Sequence, residues 1–325
     1  MRNAVQTLRL IGQGGVVLNR MLHLIVPTVL FVLIAYAVGS EEILSRIRSV
    51  APGWILAAFL LAQVQIVLSA LRWQLTAQSI GVILPFGRAL SEYYLSGAIN
   101  MTVLGGVLGD GIRAFRSRGG KGLEAAAHAV LIERLAGQVA LAVVLAAGLL
   151  LSGHSLLQGA GLLLLAVLAA GALLGSSLRH IVPLSYFPDV FRRFSHAVRR
   201  TWFTGRLGIV QILLSLLIVA ANLASFAFCA AATGSRLGLI EILYAVPLIL
   251  LAMLIPFSVA GWGYREGAAA GVFALIGATA GAGVSASVVF GAVILVANLP
   301  GLVVLMVRKR GSATVARNGD GKSVD

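Results

Sequence analysis

The sequence predicts an all-α fold: a polytopic transmembrane helix bundle of six to eight spans with one or two re-entrant helical hairpins. Composition is the first reason. Of 325 residues, 59% are hydrophobic and 11% charged, and the mean hydropathy is +0.98, more apolar surface than a soluble domain can bury. The second is the recurrence of apolar runs near 20 residues, the length that crosses a hydrocarbon core of about 30 Å at 1.5 Å per residue. The third is a pair of Gly-rich polar motifs set among those runs, LGGVLGDGIR (residues 104–113) and SVAGWGYRE (residues 258–266). Charge and irregular backbone are tolerated at membrane depth only where protein or a water-filled cavity surrounds them.

Taken in order, residues 1–20 form a basic N-terminal segment, and the apolar runs 21–39, 52–71, 123–151, 156–178, 207–231 and 284–307 read as spans. Runs 239–257 and 267–281 are shorter. They fit either two thin spans or the arms of a hairpin. Segment 88–108 differs, because Glu92, Tyr93, Tyr94, Asn100 and several glycines interrupt it. Residues 186–203 place Phe187, Val190, Phe191, Phe194, Val198 and Trp202 at helical spacing among Arg192, Arg193, Arg199 and Arg200. That pattern predicts an amphipathic helix on an anionic lipid surface, within a basic connection over residues 179–206, with partner docking as the alternative. The tail 308–325 has the Gly, Ser and Asn content of a disordered segment.

Charge sets the orientation. Lys and Arg gather in the N-terminal segment, at Arg72 and Arg88, at Arg113 to Lys121, around residues 179–206 and in the tail, whereas the intervening loops carry only Arg46, Arg48 and Arg236. The positive-inside rule places the first set, with both termini, in the cytoplasm of a cell whose inner membrane the chain spans. Segment 88–108 then has basic flanks on both sides. A full crossing breaks that parity, so the segment is expected to dip in and return. The formal charge of +14 is a matter of topology and anionic lipid, not of nucleic acid. Cys229 is the single cysteine, which excludes an intramolecular disulfide and a Cys-based metal cluster.

Chemistry concentrates in a few residues. Asp110 and Arg113 are three apart and share a face if a helix starts near Asp110. Free N–H groups at that helix entrance would suit a phosphate. The plain alternative is a cap and a topological anchor. Glu133 and Arg134 interrupt a long apolar run, and about 15 Å separates them from Glu124 along a helix. Neighbours on a helix point about 100° apart, so the two need different partners, drawn from Asp110, Arg113, Arg265 and Glu266. In the second motif Pro256 breaks the helix, Ser258 offers a hydroxyl, and Gly261 and Gly263 precede Arg265 and Glu266. His128, Asn222, Ser225 and Asn298 read as interhelical hydrogen-bonding residues. The sequence carries no HExxH, P-loop, GxSxG or DxD pattern, so neither an enzyme, a cofactor nor a bound metal is expected.

Together Arg72-Trp73, Asn100 followed by the glycine turn with Gly109-Asp110 and Arg113, Glu133-Arg134, and Gly261, Gly263, Arg265 and Glu266 resemble the lysylphosphatidylglycerol synthase transmembrane (flippase-like) family. The resemblance spans residues 21–307. It departs from the family pattern in having Leu108 before Gly109-Asp110 and no proline between Asn100 and Arg113. Family members that make aminoacylated lipid carry a soluble transferase domain after the membrane part. Here the sequence ends soon after the last span, so a stand-alone membrane domain without synthase activity is expected. The resemblance implies movement of a lipid between leaflets, the lipid being a phospholipid, a hopanoid or a polyprenol-linked intermediate. Asn100, Asp110, Arg113, Glu133, Arg134, Ser258, Arg265 and Glu266 are the expected headgroup contacts. The alternative is a non-transporting membrane partner of a glycosyltransferase or cytoplasmic lipid-modifying enzyme.

Overall fold

The computed structural model describes residues 36, 40–102, 107–181, 189–254 and 261–303. The N-terminal segment 1–20, the expected first span apart from Tyr36, and the tail 308–325 lie outside them. The described chain is an all-α membrane bundle: α1 (Ser40–Arg48), α2 (Pro52–Ser79), α3 (Phe86–Thr102), α4 (Leu108–Ser117), α5 (Gly122–Leu151), α6 (Ser155–Ile181), α7 (Asp189–Trp202), α8 (Gly205–Ala232), α9 (Leu239–Leu251), α10 (Tyr264–Leu275) and α11 (Ala280–Asn298). Five segments, α2, α5, α6, α8 and α11 with its extension to Val303, are long and apolar enough to cross a bilayer.

Local chemistry sets the element ends. Pro52 begins α2, where its missing N–H costs nothing. Thr279 caps α11 by accepting from Ala282 N at 3.2 Å. Glu241 and Glu266 fold back at 2.7 and 2.6 Å onto the N–H groups of Gly238 and Gly263, closing the first turns of α9 and α10. Close packing follows from small residues. A Cβ on Gly148 of α5 would strike the Leu243 carbonyl of α9, and one on Gly283 of α11 would strike the Ala269 carbonyl of α10. The shared core between α2, α8 and α11 contains Phe226 and Phe290, whose ring centroids lie 5.3 Å apart.

Besides α1 and α7, four described helices are too short to cross. α3 and α4 have 17 and 10 residues, α9 and α10 have 13 and 12, and at 1.5 Å per residue the longest reaches only about 26 Å. They form two hairpins. At the start of α3, Arg88 Nη2 donates to the Arg116 carbonyl at the end of α4 (2.6 Å), and Arg116 also pairs with Glu92 (2.6 Å). Both ends of this hairpin therefore lie on one face, beside the C-terminal end of α2 and the start of α5. The second hairpin has both ends on the opposite face. There α1 holds them: Arg46 donates to Thr233 O and Ser235 Oγ just before α9, while Thr279, just after α10, donates to Glu42 Oε1 at 2.6 Å.

The expected re-entrant segment 88–108 is thus the first arm of a hairpin completed by α4. For residues 239–281 the hairpin, rather than two thin spans, describes the chain. The two charge sets also separate as expected. Arg88, Arg116, Lys121 and α7 mark one face, and α1, with Arg46 and Arg48 in its last turn, the other. One topological reading changes: Arg72 is not in a loop, because α2 continues to Ser79 and buries it at 3% exposure.

The amphipathic helix is α7. Its Ala197 and Thr201 are buried against the bundle, with Thr201 Oγ1 2.8 Å from Ser79 Oγ, and Phe194 packs edge-on against His128 at 5.3 Å. Arg193 donates to Glu124 at 2.6 Å, which holds this exposed guanidinium's pKa above its ordinary value. Val190, Phe191 and Phe203 remain exposed.

Candidate functional site

A cavity of about 400 Å³ lies beside the described arms of both hairpins, within the range of small-ligand sites. Asn100, Met101 and Val107 line it from the first hairpin, Met253, Leu254 and Gly261 from the second. Its polar wall comes from Arg72 of α2, Asp110 of α4, and Glu133 and Arg134 of α5.

The wall is one connected ionic network. Glu133, 2% exposed, accepts from Arg72 Nη2 at 2.7 Å and from Arg113 Nη2 at 3.1 Å, with Tyr93 OH at 3.4 Å. Asp110 accepts from Arg113 Nη2 at 3.0 Å, from Ser96 Oγ and Asn100 Nδ2 at 3.3 Å each, and pairs with Arg134. Glu133 and Arg134 therefore do have different partners, as their angular separation on a helix requires. Arg113 lies behind this wall between two rings, 4.5 Å from Trp73 and 4.7 Å from Tyr93. Three guanidinium groups face two carboxylates here. The network carries one excess positive charge, and Arg72 Nε and Arg113 Nε are buried with no hydrogen-bond partner. Donors exceed acceptors.

A glycine makes this geometry possible. A Cβ on Gly109 would collide with the Ser96 carbonyl, so only glycine lets α4 lie against α3. The same contact fills the helix entrance: Gly109 N donates to Asn100 Oδ1 at 2.8 Å, and the Asp110 and Gly111 N–H groups both donate to Val107 O. The free N–H groups expected there for a phosphate are occupied, because Asn100 Oδ1 and Val107 O supply the acceptors.

The second motif builds a separate, dry pair. Gly261 and Gly263 take φ values of 81° and 85°. This turn sends Arg265 and Glu266 inward, where both are fully buried. Arg265 Nη2 meets Glu266 Oε1 at 2.6 Å, and its Nε donates to Ser287 Oγ at 2.8 Å. The Trp262 ring lies 4.9 Å from the guanidinium. Neither residue lines the cavity, nor does Arg113; Arg134 does, with its side chain 38% exposed. Ser258 lies outside the described residues.

Three cavity residues escape the sequence reading of the site. Arg72 resembles a positive-inside anchor because it follows an apolar run at the length where a span is expected to end. Gln138 lies one turn beyond Arg134 on α5 and keeps its Oε1 buried without a partner. Asn222 of α8 turns toward the cavity, whereas an interhelical hydrogen bond was the expectation from its sequence. Of the other singletons, Ser225 does bridge helices, donating to Ala58 O at 3.0 Å. Asn298 instead donates to Ile294 O of its own helix.

Fold and site define a polytopic α-helical membrane protein with an internal cavity beside two opposed hairpins, walled by an ionic network of three guanidinium groups and two carboxylates. The chain belongs to the family described as the lysylphosphatidylglycerol synthase TM region, whose model matches residues 20–301. No curated protein matches the chain.

Proposed function

We infer that the chain moves a lipid with a charged or polar headgroup between the leaflets of a cytoplasmic membrane, without altering it chemically. The observation that carries this reading is the excess positive charge of an ionic network in which Arg72, Asp110, Glu133 and Arg134 line a cavity and Arg113 lies behind them. A buried surplus cation is costly unless a counter-ion visits it. A headgroup phosphate supplies that counter-ion, and acyl chains stay in the surrounding lipid. Arg134 makes the contact, with Arg72 behind it. Arg113 positions Asp110 and Glu133, and the Arg265–Glu266 pair fixes the second hairpin. The basic face with α7 is cytoplasmic, as are both termini, because positive loops resist translocation.

The test is leaflet-specific headgroup labelling in proteoliposomes. Arg134→Gln is expected to stop movement, and Arg134→Lys to restore part of it, with unfolding temperatures unchanged. Wild-type movement by the Arg134→Gln protein would remove the cavity from the mechanism. A second reading, a membrane partner of a lipid-modifying enzyme, is favoured by the exposed Val190 and Phe191 on basic α7. It predicts no lipid movement by the purified chain, and a stable complex with such an enzyme that alanine at both positions disrupts.

A further inference from the structure

The lining of the cavity narrows the headgroup. We propose that it takes a phosphate diester carrying an uncharged, hydroxyl-bearing group in preference to a cationic aminoacyl headgroup. This rests on the site assigned above but concerns its selectivity.

Charge is the first argument. Three guanidinium groups pair with two carboxylates, so the network has one surplus positive charge. A diester phosphate has a single negative charge and neutralises it. A headgroup that adds ammonium groups to that phosphate brings a net cation to a net cation. The acidic groups that would have to welcome it are engaged: Glu133 by Arg72, Arg113 and Tyr93, and Asp110 by Arg113, Arg134, Ser96 and Asn100.

Placement of neutral polar groups is the second. Gln138 stands one turn, about 6 Å, beyond Arg134 on the same face of α5, and both line the cavity. Its carboxamide is uncharged, and its Oε1 is buried and accepts no hydrogen bond. Asn222 faces the same space from α8. A carboxamide both donates and accepts, as a hydroxyl does. A phosphate seated at Arg134 therefore leaves its ester substituent within reach of neutral groups suited to hydroxyls.

Binding of defined lipids to the purified full chain, read by native mass spectrometry, decides the matter. Phosphatidylglycerol is expected to bind about tenfold more tightly than phosphatidylmethanol, which has the same phosphate charge and no hydroxyl, the worth of about one hydrogen bond. Its lysyl ester is expected to bind at least about tenfold more weakly than phosphatidylglycerol itself. Gln138→Leu with Asn222→Leu should remove the preference over phosphatidylmethanol while leaving phosphatidylmethanol affinity as it was. The single Gln138→Leu exchange should halve it if the double variant does not fold. Competition by free glycerophosphoglycerol identifies the diester itself as the ligand; lack of competition identifies the intact lipid.

Equal binding of phosphatidylmethanol and phosphatidylglycerol, or tighter binding of the lysyl ester, overturns this assignment and leaves lipid movement standing on the Arg134→Gln test. Discrimination without any movement in proteoliposomes has the opposite meaning. The selectivity then holds and translocation falls.

Discussion

Glu133 holds the ionic network together, and removing it tests the network without reference to transport. In Glu133→Ala, Arg72 and Arg113 lose their common acceptor at 2.7 and 3.1 Å while remaining 4% and 2% exposed. The excess charge of the cluster rises from one to two. Breaking a buried pair by removing one partner costs about 3–5 kcal/mol, chiefly because the stranded charge stays desolvated. Glu133→Gln keeps the shape and one acceptor, so its cost is that of charge-assisted hydrogen bonds, about 1.5–3 kcal/mol. For a chain of this size the alanine variant should unfold on the order of 10 °C below wild type, with the glutamine variant between. Thermal unfolding in detergent, followed by tryptophan fluorescence, reports directly, since Trp73 lies 4.5 Å from the Arg113 guanidinium. Adding Arg72→Met to the alanine variant should recover part of the loss, because one stranded cation is then gone. An alanine variant within about 2 °C of wild type, a shift under about 1 kcal/mol, would refute the coupling.

Arg265→Ala should lower the unfolding temperature by a similar amount, about 3–5 kcal/mol for an unpaired buried Glu266, whereas Arg134→Gln should leave it nearly unchanged because Arg134 is 38% exposed. Equal stability of wild type and Arg265→Ala would show that the pair does not hold the second hairpin. Cys229 is fully buried, so single engineered cysteines report topology cleanly. Gly87→Cys and Arg118→Cys should react with a membrane-impermeant maleimide from one side, Arg236→Cys and Ile276→Cys from the other. Labelling of Arg236→Cys and Ile276→Cys from different sides would mean that residues 239–281 cross the membrane.

Much of the molecule is written along the chain. Apolar runs of bilayer length give α2, α5, α6, α8 and α11, because a span must satisfy its own backbone and face lipid with apolar side chains, and both demands are local. Basic residues near both ends of 88–108 identify a segment that returns, since charge parity is a counting property of the sequence. Asp110, Glu133 and Arg134 are recognisable as site residues for the same reason: ionisable groups in apolar runs are too costly to be incidental.

Distance through space is what the chain order conceals. Arg72 and Glu133 are 61 positions apart and meet at 2.7 Å, whereas Arg265 and Glu266 are adjacent and satisfy each other away from the cavity. Identical residue types thus have different roles, set by which helix face packs against which neighbour. The tertiary structure also settles residues 239–281 as a hairpin, because Glu42 and Arg46 of α1 gather its two ends on one face. Hydropathy records how apolar a segment is; only packing decides where its few polar atoms find their partners.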